Sequence, residues 1–141
     1  MATIKLELVT PDGGKVFDQD IDMLIVRSTA GELGILPKHA RLLTELLPHA
    51  MRIKIGGNEE LAAVGGGFME VTPDKITILA DSAELAEKID VERAKSAYKR
   101  AEDRVSAYRN AQKDSEIDIR RAEAALARAK ARLLVKNVPV N

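Results

Sequence analysis

The sequence predicts an α+β chain in two parts, an N-terminal antiparallel β-sandwich over residues 1–86 and a C-terminal antiparallel two-helix hairpin over residues 87–141. Three observations predict it. All nine glycines lie between Gly13 and Gly67, and neither Gly nor Pro interrupts the 65 residues between Pro73 and Pro139. Glycine supplies turns and proline breaks regular helix, so this segregation separates a turn-rich sheet from long helix. Short period-two runs fill the first part, and apolar residues spaced three and four apart fill the second.

Along the first part, at least eight strands are expected, at spacings that suit two packed sheets. They begin with Ile4 to Val9, Lys15 to Asp18, Ile21 to Arg27 and Arg41 to Leu47. Met51-Arg52-Ile53-Lys54-Ile55 alternates apolar and charged side chains, which puts Met51, Ile53 and Ile55 on one buried face. Gly56-Gly57-Asn58 then turns the chain into Glu59 to Val64. Phe68 to Val71 and Ile76 to Leu79 flank Thr72-Pro73-Asp74-Lys75, whose proline pre-sets one turn dihedral, and the three segments read as a hairpin.

Several groupings here read as structural. Gly65-Gly66-Gly67 precedes a strand and lacks the helix N-terminus that a phosphate cradle needs, so it is read as close backbone approach or a bulge. Asp18, Asp20 and Asp22 alternate like calcium ligands but lack the glycine and distal glutamate of such loops, and they read as a solvated strand face. His39 and His49 are the only histidines, and no cysteine exists to complete a metal site. No nucleophile, base and orienting group converge as an active site would require, and no metal is needed for the fold. Within Gly31 to Ala40, both glycines permit positive φ and Pro37 lacks a donor, so the residues taken alone predict a strand-edge bend.

In the second part, Val91, Ala94, Tyr98, Ala101, Val105 and Tyr108 form one seam, and Ile119, Ala122, Leu126, Ala129 and Leu133 form another. Asp90 is placed to cap the first helix, with Glu92 in its positive first turn. Ser115-Glu116-Ile117-Asp118 resembles a capping box for the second, and the joint falls near Asn110 to Asp114. Five of these eleven seam positions are alanine, and alanine contacts bury little apolar area, so the hairpin is expected to be weakly held and mobile. Beside the seams run Asp90, Arg93, Ala97, Arg100, Arg104 and Arg121, Ala125, Arg128, Arg132. Antiparallel folding brings Arg93 and Arg100 toward Arg132 and Arg128, where a polyphosphate would relieve their repulsion. The competing reading leaves these arginines solvated and paired with carboxylates such as Glu123.

Charge and composition add bounds. Lys and Arg number 8 against 13 Asp and Glu over residues 1–86, and 14 against 9 over 87–141, leaving −5 and +5. The opposed charges let the two parts attract each other. The absence of cysteine leaves the redox compartment unconstrained and fits a reducing cytosol. Charges close to Met1 and the lack of any run of about 18 apolar residues argue against a signal peptide and a membrane span.

Gly31-Glu32-Leu33-Gly34-Ile35-Leu36-Pro37-Lys38-His39-Ala40 closely resembles the signature of the epsilon subunit of F-type ATP synthases. The resemblance continues through Gly66-Gly67-Phe68-Met69-Glu70-Val71 and Ile76-Thr77-Ile78-Leu79-Ala80-Asp81, and it includes the two-part layout. Ile89-Asp90-Val91-Glu92-Arg93-Ala94 resembles the Ile/Leu-Asp-x-x-Arg-Ala motif of the ATP-binding members. By this resemblance Glu84, Ile89 and Asp90 would address adenine, while Arg93, Arg100, Arg128 and Arg132 would hold the phosphates of a regulatory ATP that is not hydrolysed. The resemblance also implies a non-catalytic central-stalk subunit that couples rotation to proton translocation. The sandwich, through Glu32 and His39, would attach to the gamma subunit and the c-ring. The basic hairpin would reach the acidic beta subunits and inhibit hydrolysis. Its implied place is peripheral, on the cytoplasmic face of the cell membrane, held there through the complex.

The alternative function is a nucleic-acid-binding module that uses the basic hairpin. Against it, aromatic residues make up 3% of the chain, and acidic residues interleave the arginines.

Overall fold

The computed structural model describes residues 2–110 and 116–138. Eight strands come first: β1 (Ile4–Thr10), β2 (Gly14–Ile21), β3 (Met23–Ser28), β4 (Gly31–Ile35), β5 (Leu42–Ile55), β6 (Asn58–Val71), β7 (Lys75–Ala80) and β8 (Ala83–Leu85). A single 3₁₀ turn at Ala86–Lys88 leads to α1 (Val91–Asn110) and α2 (Glu116–Val135). The expected capping box at Ser115 and the joint after Asn110 fall outside the described residues.

Hydrogen bonds connect the strands in the order β2-β1-β7-β6-β5-β3-β4, with β8 also paired to β6. β5 and β6, at 14 residues each, belong to both layers of the sandwich. Leu42 to Leu46 of β5 and Gly67 to Val71 of β6 pair with each other, and this part of β6 also pairs with β7. The other ends, Pro48 to Ile55 and Asn58 to Gly65, lie beside β3 and β8. Four segments read separately along the chain are therefore halves of two continuous bent strands.

The bend has a chemical cause. Gly66 and Gly67 adopt φ of 99° and 140°, and Leu47 and Gly66 drop out of the otherwise regular register. A Cβ on Gly67 would run into the Leu79 carbonyl oxygen, so only glycine lets β7 approach there. At the far end, Gly56 and Gly57, with φ of 55° and 82°, form the two-residue connection between paired Ile55 and Asn58.

Two further pairings depart from the local pattern. β1 and β7 run parallel, while every other pair is antiparallel. Gly31–Ile35 is a strand on β3, from Ser28↔Gly31 to Leu24↔Ile35, where the residues alone predict a bend. The core between the layers takes Ile4, Leu6 and Leu8 from β1, Leu24 and Val26 from β3, Met51 and Ile53 from β5, and Ile76 and Ile78 from β7, all almost fully buried.

The helices pack on each other and on the outer face of the sandwich. At 20 residues, each is about 30 Å long. Ala94, Ala101 and Val105 of α1 and Ala122, Ala129 and Leu133 of α2 are buried along the expected seams. α2 also buries a second stripe that the seam does not contain. Ala131 and Val135 cluster with Ala63, Ile89, Ala94 and Leu133, and Ala50 and Leu61 pack against them. This cluster is separate from the sandwich core, so the hairpin is docked on the sheet and is no part of its interior.

Candidate functional site

The site lies where β8, the turn after it and both helices meet. Asp90 starts α1 by accepting the Arg93 backbone N–H on Oδ1 at 3.1 Å, while its carbonyl accepts from Ala94 at 3.0 Å. That cap fixes the helical phase, and the seven-residue step then sets Arg100 two turns along the face that Arg93 begins. Arg93, Arg100 and Arg132 face Glu84, Lys88, Ile89 and Asp90 across a groove of about 430 Å³ floored by Ala94 and Ala97. An adjoining hollow of about 270 Å³ shares Ala97, Arg100 and Arg132 and adds Arg104 and Arg128. The expected antiparallel meeting of Arg93 and Arg100 with Arg132 and Arg128 is thus present.

Arg128 is set by the sandwich as well as by its helix. Its Cδ and Cγ lie 2.9 and 3.2 Å from where a Cβ on Gly65 would stand, so the first of the three glycines leaves room for this side chain to cross the strand. Small alanines at 94, 97, 101, 122 and 125 keep the groove between the helices open at its base. The alanine content that weakens the seam therefore also makes the cavity.

The electrostatics are unbalanced toward cations. Arg132 Nε donates to Glu84 Oε1 at 2.5 Å, in a pair that is 27% and 37% exposed and ties α2 to β8. Lys136 Nζ donates to the Ala86 carbonyl at 3.1 Å and adds a second tie. Glu123 pairs at 3.0 Å with Arg109, which lies outside the expected arginine set. Among the described residues, none of Arg93, Arg100, Arg104 and Arg128 forms an ion pair. Unpaired guanidiniums about one cavity offer forked donors to a multiply charged anion. Among the described residues, no group of three His, Cys, Asp or Glu stands ready for a metal.

The expected attachment residues lie elsewhere. Glu32 is exposed on β4, directly across from Arg27, and His39 follows β4 with Nδ1 2.7 Å from the Ala40 carbonyl. Neither lines the groove between the helices. Lys88 does line it, and no motif or period singled that residue out. Arg104 belonged to the arginine stripe but not to the expected ligand set, and the adjoining hollow brings it in.

Residues 3–86 match the β-sandwich domain of the ATP synthase delta/epsilon chain, and residues 87–137 match the long α-helix domain of the same chain. The chain is 55% identical over 107 residues to the ATP synthase epsilon chain of Alkalihalophilus pseudofirmus, covering 76% of this chain and 80% of the relative. It is 52% identical over 107 residues to that of Bacillus subtilis, covering 76% and 80%. Among solved structures, a chain of the Euglena gracilis mitochondrial ATP synthase superposes with a TM-score of 0.74 at 24% identity, covering 93% of this chain and 79% of that one. A chain from the central stalk and c-ring of the Tetrahymena thermophila enzyme gives 0.56 at 12% identity, covering 96% and 97%. Both likenesses concern the fold alone.

Proposed function

Because the chain belongs to the ATP synthase delta/epsilon family, whose epsilon chain is a non-catalytic subunit of that enzyme, we propose that it is a regulatory stalk subunit whose hairpin binds ATP in the docked state. The observation that carries this reading is the set of Arg93, Arg100 and Arg128 gathered without ion partners beside Glu84 and Arg132. Triphosphate oxygens take the arginines. Glu84 and the backbone around Ile89 and Asp90 border the same groove and offer acceptors to a base amino group.

ATP favours docking because it contacts both helices and β8 at once, a set of contacts that a released hairpin does not assemble. At a hundredfold excess over Kd the ligand adds about 2.7 kcal/mol to the docked form. Without ATP, the released basic hairpin reaches the acidic beta subunits and opposes hydrolytic rotation. Attachment to the gamma subunit uses the uncovered face of the sandwich. There Leu43, Phe68 and Leu79 are 71%, 55% and 59% exposed, and Phe68 stands directly beside Leu79 across β6 and β7. Glu32 and His39 address the c-ring on this reading, so that rotation is coupled to proton translocation. The subunit would sit on the cytoplasmic face of the membrane through its partners, and no described helix is long and apolar enough to cross it.

Calorimetry with ATP on the full chain, on Arg93→Ala and on Arg128→Ala tests the site. A charged hydrogen bond is worth about 1.5–3 kcal/mol, so each variant should raise Kd roughly 10- to 150-fold. A flat titration of the unaltered chain, or undiminished affinity in both variants, refutes the nucleotide reading.

A further inference from the structure

Strand registers fix which side chains stand together on the face of the sandwich that the hairpin leaves uncovered. One row across it runs Glu45, Phe68, Leu79 and Val9, from β5 through β6 and β7 to β1. The next row runs Leu43, Glu70, Thr77, Glu7 and Asp18, and ends on β2. Leu43, Phe68 and Leu79 are the exposed apolar side chains here. Two exposed carboxylates are set directly against them, Glu45 across from Phe68 and Glu70 across from Leu43.

Charges are handled differently at the two ends of these rows. Toward β1 and β2 they satisfy one another: Lys75 and Lys15 lie 3.0 and 3.7 Å from Glu7, and Lys5 and Lys15 each lie 3.3 Å from Asp18. Toward β5 and β6 they do not. Among the described residues, neither Glu45 nor Glu70 forms an ion pair. Lys75, on the strand beside Glu70, is taken by Glu7. In water an unpaired exposed carboxylate costs nothing. Any protein that covers Phe68, Leu79 and Leu43, however, strips water from the carboxylates beside them, and a dehydrated carboxylate without a counter-charge is costly. A purely apolar partner surface therefore fits this face poorly.

We infer that Glu45 and Glu70 are partner-binding residues, and that the protein docked on this face presents basic side chains to them around an apolar centre that receives Phe68 and Leu79. The inference rests on the attachment of this face to the gamma subunit proposed above, and it specifies the chemistry that subunit must bring. The division of labour follows from the placement. Phe68 and Leu79, side by side on β6 and β7, supply the buried anchor. Glu45 and Glu70 speed the encounter and fix the register of docking through opposite charge. The self-paired charges of β1 and β2 make no such demand on a partner.

Surface plasmon resonance of the full chain on immobilised gamma subunit tests it. Glu45→Lys and Glu70→Lys should each weaken binding about tenfold or more, chiefly through slower association. Glu45→Gln and Glu70→Gln keep the side-chain shape and should each weaken it about two- to fivefold. Asp20→Lys makes the same change in net charge at an exposed position on β2, across from Lys5, and should leave affinity within about twofold. Raising salt from about 0.1 M to about 1 M shrinks the screening length from about 10 Å to about 3 Å, so it should weaken the unaltered chain more than the double variant Glu45→Gln/Glu70→Gln. Leu79→Glu places a charge in the apolar centre and reports whether the face is used at all. If Leu79→Glu abolishes binding while both lysine variants bind like the unaltered chain, the inference is overturned and attachment through this face stands. Equal losses in Asp20→Lys and Glu45→Lys would show a net-charge effect and overturn it as well. If Leu79→Glu binds undiminished, the attachment proposed for this face fails and the inference fails with it.

Discussion

Truncating Leu133 to alanine should release the hairpin while leaving the sandwich folded. Leu133 is 3% exposed and packs with Ala63, Ile89, Ala131 and Val135, a cluster distinct from the core of the sandwich. Leucine-to-alanine changes at buried sites cost about 2–5 kcal/mol. The surroundings here are largely alanine, and α2 is free to settle toward the sheet, so a value near the lower end, about 2–3 kcal/mol, is expected. That corresponds to a roughly 30- to 150-fold rise in the release constant. Native-state hydrogen exchange reads it amide by amide. The amides of α1 and α2 should lose protection by that factor while those of β1 and β7 keep theirs, since their side chains belong to the other cluster. ATP at a hundredfold excess over Kd should restore about 2.7 kcal/mol and return most of the protection. Equal loss of protection in helices and sheet would show one cooperative unit and refute the argument, and a loss smaller than about threefold would show that Leu133 does not hold the hairpin.

Gly67→Ala should destabilise the sandwich by more than about 3 kcal/mol, because its added Cβ meets backbone and φ of 140° is strained for any side chain; a thermal melt would show it. Asp90→Ala should cost about 1 kcal/mol through loss of the α1 cap, read as faster exchange in the first turn of α1 with the sheet unaffected. The Glu7 carboxyl is held below its ordinary value chiefly by a hydrogen bond from Lys75 and also by Lys15. Its contribution is therefore complete above about 4.5 and lost as pH falls through the lowered value, so the urea midpoint should decline more steeply there in the unaltered chain than in Glu7→Gln.

Local chemistry accounts for much of what could be read along the chain. Glycine and proline placement separates sheet from helix, the alternation at Met51, Ile53 and Ile55 identifies a buried face, and Asp90 marks where α1 begins, because each depends on residues within a turn or a strand of one another. Spacings of seven and four predict that the arginines share a face for the same reason. The parallel pairing of β1 with β7 joins residues some 70 apart, from Lys5↔Lys75 to Val9↔Leu79, and no turn between them signals it. β5 and β6 each read as two strands, because Pro48 and Gly65-Gly66-Gly67 carry the local signature of a break, whereas pairing along both flanks keeps the chain extended through it. The second buried stripe of α2 was hidden for another reason. Alanines at 127 and 131 suit a seam, a sheet contact or solvent equally, so their periodicity names no partner. The Glu84–Arg132 contact and the groove beside it come into being only when α2 settles across β5 and β6, since residues 48 positions apart acquire a common environment through packing and not through anything adjacent in the chain.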